Sequence, residues 1–186
     1  MPALANTRRR YGAVSVALHW LMAALLVALA ALGRAMVALP DAGFDTRKGM
    51  WILWHKEIGV LAFALAGARL AWRLLNPLPA LADGLPAWQQ LAARFVHLCF
   101  YGLMFALPLS GWVMSSAAAI PVSFLGLFTL PDLVGRDDAL FRALIDAHRW
   151  AAWALIALLA VHAGAALSHH LVRRDDTLRR MSWSRR

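Results

Sequence analysis

Four long apolar runs, each about the length needed to cross a bilayer, constrain this chain more than any other feature. A hydrocarbon core ~30 Å thick takes about 20 helical residues to span. Backbone polar groups meet no water at that depth, so a spanning run must close its own hydrogen bonds as a helix. The runs cover about residues 14–36, 49–75, 91–116 and 147–172. They predict an all-α membrane protein, a four-helix transmembrane bundle forming a single domain over residues 1–186. The composition agrees: 61% of residues are hydrophobic and only 16% are charged, against about 25% charged in ordinary soluble domains.

The segments between the runs are short. Residues 117–130 are apolar but contain Pro121 and end at Pro131-Asp132. That length predicts an interfacial or re-entrant piece rather than a fifth span. Asn76-Pro77, Pro79 and Pro86 mark the loop between the second and third runs. Pro108 lies inside the third run and predicts a kink there. Arg8-Arg9-Arg10 precede an uncharged stretch long enough to span, with no clear small-residue cleavage site, so a retained first helix is expected.

Lysine and arginine counts orient the bundle. One side carries 12 basic residues, including Arg8, Arg9, Arg10, Arg185 and Arg186, against three acids, Asp83, Asp175 and Asp176. The other side carries seven basic residues against seven acids, Asp41 and Asp45 among them. The positive-inside rule then places both termini in the cytoplasm. Trp51, Trp54, Trp112, Trp150 and Trp153 would form an outer aromatic belt, with Trp72, Trp88 and Trp183 near the inner face. The net charge of +9 does not indicate nucleic acid, because the basic residues flank apolar runs and form no aromatic-basic stripe.

The lone Cys99 makes no intrachain disulfide, and the chain has neither a CxxCH nor a CxxC. Covalent haem attachment and a cysteine zinc site are therefore excluded. Chemistry must rest on histidine. His148 and His162 lie 14 residues apart on the fourth run. On a helix that is roughly 21 Å and close to whole turns, so both rings share nearly one face. His19 and His55 lie on the first and second runs. By depth, His19 pairs with His162 and His55 with His148. Two such pairs at two levels are what two stacked haems with paired imidazole ligands require. His97 on the third run reaches the inner level too, so depth alone leaves open which two of three histidines would ligate there.

Other polar residues cluster around these levels. His169-His170, followed by Arg173, Arg174 and Asp175-Asp176-Thr177-Leu178, sit where the fourth run ends. Histidine there suits contact with a quinone carbonyl and proton relay. Arg47, Lys48, Lys56 and Arg149 flank the outer level, and haem propionates need such cations. Gly59 follows His55 by one turn and leaves room for a flat cofactor.

The chain resembles the bacterial di-haem cytochrome b-561 family. The resemblance rests on Tyr11 and Val16-Ala17-Leu18-His19-Trp20-Leu21, on His55 with Gly59, and on His97-Leu98 through Leu107-Pro108-Leu109-Ser110-Gly111. It continues through His148, His162-Ala163-Gly164-Ala165-Ala166-Leu167-Ser168-His169-His170, and Asp175, Thr177-Leu178 and Arg180-Met181. It implies two haems b, with His19 and His162 holding one, His55 and His148 the other, and His97 a non-ligand. It further implies a bacterial inner-membrane oxidoreductase that takes electrons from superoxide on the periplasmic side and reduces ubiquinone. Related b-type subunits draw electrons from a periplasmic protein donor such as a hydrogenase or dehydrogenase, which is the alternative function. A haem-free membrane scaffold is the third.

Overall fold

The computed structural model describes residues 3–8, 10–40, 46–80 and 85–182; Arg9, Asp41, Asp45, Asp83, Trp183, Arg185 and Arg186 lie outside the described residues. Four helices carry the fold: α1 (Ala13–Ala38), α2 (Thr46–Leu75), α3 (Ala87–Ala117) and α4 (Asp138–Ser168). All four are long and apolar enough to cross a membrane. At 26 to 31 residues each, they are roughly 39–46 Å long and overreach the hydrocarbon core at one or both ends.

α4 begins nine residues earlier than its apolar run. The added turns carry Arg142 and Asp146, charges that precede the apolar run in the sequence. The helix is started instead by Asp137, whose carboxylate accepts from the N–H groups of Ala139 and Leu140, both at 2.9 Å. Such a cap satisfies two of the first-turn donors. At the other end α4 passes into a π-helical turn, His169–Arg173, closed by Arg174 in the left-handed region. α3 runs unbroken through Pro108.

Beyond the end of α3, residues 118–130 form no helix. Strands β1 (Val122–Phe124) and β2 (Phe128–Leu130) pair antiparallel, with Phe124 opposite Phe128. The turn between them places Leu125 and Gly126 at φ 51° and 68°. The mirror-image turn twists with the strands, which favours it in tight hairpins. The period-2 signal over three-residue strands was too short to separate from a re-entrant piece.

Backbones approach most closely between neighbours in sequence, α1 with α2 and α3 with α4, while α2 meets α3. α4 stays farther from α1 and α2, and side chains bridge that gap. A small core from all four helices, Met22, Leu26, Ala66, Phe100, Met104 and Leu155, fills the middle of the bundle. Few other residues are buried, as expected where lipid rather than water surrounds the helices and no hydrophobic drive presses them together.

The start of α1 is tied down by the chain before it. Asn6 is buried, accepts from the Gly12 N–H at 2.9 Å and the Ser15 hydroxyl at 2.6 Å, and donates to the Pro77 carbonyl at 3.1 Å. A Cβ on Gly12 would collide with the Leu4 carbonyl oxygen, so no larger residue fits there.

Candidate functional site

Two histidine pairs face each other across the gap beside α4. His19 is the seventh residue of α1 and His162 the seventh from the end of α4, so they meet at one level. Their ring centroids are 6.2 Å apart. His55 on α2 and His148 on α4 meet at the other level, also 6.2 Å apart. The apolar core lies between the two levels, and Leu155 stands midway between His148 and His162 on α4.

The environment of each ring differs. His148 Nδ1 lies 2.8 Å from the Ser110 hydroxyl oxygen, and that hydroxyl donates to the Leu107 carbonyl at 2.8 Å. A hydroxyl has one proton to give. It is spent on Leu107, so His148 Nδ1–H is the donor to Ser110 and Nε2 keeps its lone pair. His55 Nδ1 is buried with no hydrogen-bond partner. At His19 the polarity is reversed: Arg69, which can only donate, gives an N–H to Nδ1 at 3.2 Å.

Two glycines shape the outer level. A Cβ on Gly33 of α1 would stand 3.4 Å from the His55 ring, and one on Gly111 of α3 would stand 3.6 Å from the His148 ring. Each ring thus lies against a neighbouring helix at a distance where a Cβ would make van der Waals contact and a longer side chain would run into the ring. A Cβ on Gly59 would meet no atom within 4 Å. Sequence reasoning singled out Gly59 and missed Gly33 and Gly111. The available signal was a glycine interrupting an apolar helical run, which marks a packing or functional need.

At the inner level His97 stands closer to His162 than His19 does, at 5.5 Å between centroids, and Phe100 packs edge-on to His162 at 5.3 Å. Arg73 lies over the Tyr101 ring at 5.7 Å. Among the described residues no three His, Cys, Asp or Glu side chains converge to cage a bare metal ion.

Beyond His162, the π turn brings His169 against Asp175, Nδ1 to carboxylate oxygen 2.5 Å. The Thr177 backbone N–H donates to the same carboxyl group at 2.9 Å. Partial burial opposes the charge on Asp175, but the donors on Thr177 and the His169 ring outweigh it and hold the carboxyl at about 2. His170 follows His169 in the same turn, with Nδ1 buried and unpartnered. The chain then folds back across this end: Arg180 donates to the Ala80 carbonyl and Trp20 Nε1 to the Met181 carbonyl.

The cations expected near the outer level have partners. Lys56 Nζ donates to the Pro121 carbonyl at 3.0 Å, and Arg149 pairs with Asp146 at 2.7 Å. Lys48 Nζ donates to the Leu39 carbonyl at 3.1 Å. Arg34 lies over the Trp153 ring at 5.2 Å.

This arrangement of paired imidazoles within a four-helix membrane bundle has relatives. A family model described as prokaryotic cytochrome b561 matches residues 10–183. The chain belongs to the prokaryotic cytochrome b561 family. It is 36% identical to cytochrome b561 homolog 2 of Escherichia coli K12 over 178 residues, covering 95% of this chain and 93% of that protein. It is 35% identical to cytochrome b561 homolog 1 of the same organism over 130 residues, covering 68% and 72% respectively. A cytochrome b561 is a multi-pass bacterial membrane protein of electron transfer, and membership implies binding of haem b.

Proposed function

We propose that this cytochrome binds two haems b, one held by His55 and His148 and the other by His19 and His162. The carrying observation is the equal spacing of the two facing pairs. Two imidazoles that shared one metal ion at bonds of about 2 Å, from opposite sides, would stand with their centroids roughly 6.3 Å apart. Both pairs stand at 6.2 Å, whereas His97 and His162 stand at 5.5 Å. His97 is accordingly the neighbour of a ligand and not a ligand. Bound haem iron supplies reversible one-electron transfer.

The rest of the chain serves that role. An imidazole that ligates through one nitrogen donates its other N–H to a fixed acceptor, which sets the tautomer. Ser110 does this for His148. Ligation of His19 through Nε2 would place its proton on Nδ1, so Arg69 would turn away to another acceptor. A haem propionate is the anion such a guanidinium favours. Arg149 shares an exposed pair with Asp146. Pairs of that kind contribute only about 0–1 kcal/mol, so Arg149 is available to a propionate at the outer level. Lys56 is held by the hairpin and Gly59 gives packing room.

Electrons enter from superoxide at the periplasmic side and leave to ubiquinone at the end where His169 and His170 lie. Two superoxide anions give two electrons and two molecules of oxygen; one quinone takes those electrons and two protons to become the quinol. Asp175 fixes His169 with Nδ1 as its donor, leaving Nε2 to bond a quinone carbonyl and pass a proton. Both termini lie in the cytoplasm, and the membrane is the inner membrane of the bacterium. The basic excess around the ends of α1 and α4 supports that orientation.

The test is direct. The oxidised, partner-free protein in detergent is given superoxide, and the reduced b-type absorbance is followed with and without ubiquinone. Haem reduction followed by quinol formation supports the reading. Haems that dithionite reduces and superoxide does not would transfer the assignment to a carrier fed by a periplasmic protein donor.

A further inference from the structure

The β1–β2 hairpin does not sit over the helix ends. It lies alongside α2 at the level of His55. Lys56 Nζ donates to the Pro121 carbonyl at 3.0 Å, and the Leu125 N–H donates to the Glu57 carboxylate at 3.1 Å. The two charged residues that follow His55 are thus both taken up by backbone at this hairpin, Lys56 by Pro121 just before β1 and Glu57 by Leu125 in the turn. Between hairpin and helix lies a cavity of about 250 Å³ lined by Trp54, Glu57, Ile58, Leu61, Phe124 and Leu125. Trp54 and Leu61 are themselves exposed on the outer surface of a membrane-spanning helix. They are seven residues apart, roughly 10 Å along the axis, so the hairpin extends along the helix flank.

The tip has the wrong chemistry for water. Tight turns are normally built of Gly, Asn, Asp and Ser, which tolerate the left-handed region and hydrogen-bond to solvent. Here the turn reads Leu125-Gly126-Leu127-Phe128. Leu125 holds φ 51°, uncommon for a residue with a side chain, and Glu57 pins it there through its N–H. Leu125, Leu127 and Phe128 are 63%, 76% and 55% exposed, and Ile120 nearby is 52% exposed. An apolar tip kept outward at a strained turn, continuous with the lipid-facing side of α2 and beside Trp54, has the character of an interfacial anchor.

We propose that the hairpin tip inserts into the headgroup–acyl boundary of the leaflet on its side, and that lipid is its partner. The anchor then fixes the segment of α2 carrying His55 through the Lys56 and Glu57 contacts.

The experiment uses the full haem-loaded protein in phospholipid vesicles, with Cys99→Ala as background. A nitroxide is placed on Leu127→Cys and, for comparison, on Gly135→Cys in the loop before α4. Collision with molecular oxygen, which partitions into lipid, is compared with collision with a water-soluble nickel chelate. The proposal expects an oxygen-dominated label at 127 and a nickel-dominated label at 135. Nickel access at 127 equal to that at 135 would overturn it. So would a label at 127 that is aqueous in pure vesicles and shielded only on adding a membrane-protein extract, which would make the tip a protein-docking surface.

Discussion

His148 Nδ1–H donates to the Ser110 hydroxyl at 2.8 Å, and Ser110 passes the chain on to the Leu107 carbonyl, so one α3 side chain fixes the tautomer of an α4 histidine. Loss of such a partner typically costs 10–100-fold in metal affinity. Ser110→Ala is expected to lower haem affinity at the outer level by about that factor. Haem titration of the variant, read against the inner haem as internal standard, checks it.

His148→Ala is expected to remove the outer haem and keep most of the inner one, so haem per chain falls by about half. His162→Ala should do the reverse. Haem per chain and the reduced-minus-oxidised spectrum of each variant are the readout. Equal loss of both haems in each variant would count against two separate levels.

Gly33 lies against the His55 ring, 3.4 Å from where a Cβ would stand. A Cβ there makes only van der Waals contact, but the further carbons of leucine would overpack the site at a cost of about 1–3 kcal/mol. Gly33→Leu should therefore displace His55 and deplete the outer haem. Gly102→Ala, where no atom lies within 4 Å, should leave haem content unchanged.

His169→Ala and His170→Ala are expected to keep both haems while slowing quinone reduction, with haem reduction by the donor unaffected. Normal quinone turnover in both variants would remove these residues from the acceptor site.

Asp175 is held at about 2, below its ordinary 3.8. A depressed carboxylate stabilises the folded turn above its unfolded value and loses that contribution as pH falls through the folded one. The contact with His169 and Thr177 should therefore persist at pH 5–8 and weaken between about pH 4 and 2. The Thr177 amide proton resonance should titrate with a midpoint near 2; a midpoint near 3.8 would show that the turn does not hold the carboxylate.

The helices and the histidine levels were legible because both follow from properties local to the chain. Apolar length sets the spans, and the rise of a helix places His148 and His162 at two depths before any partner is known. What escaped is what one helix says to another. Ser110 stood in a recognised motif, but its role appears only when α3 packs on α4. Gly33 and Gly111 looked like ordinary membrane-helix glycines until the rings of His55 and His148 lay against them. Lys56 stands next to His55 in the sequence, but its bond to the Pro121 carbonyl, 65 residues on, appears only once the chain folds. The early start of α4 was hidden because charged residues on a helix leaving the bilayer resemble those of a loop, and only the Asp137 cap separates the two.

The most direct test of the account is the haem-to-protein ratio of the detergent-purified chain, measured by pyridine haemochrome against amino-acid analysis. Two haems b per chain are predicted, one for each histidine pair. A ratio of one, or a chain that folds without haem, would contradict it.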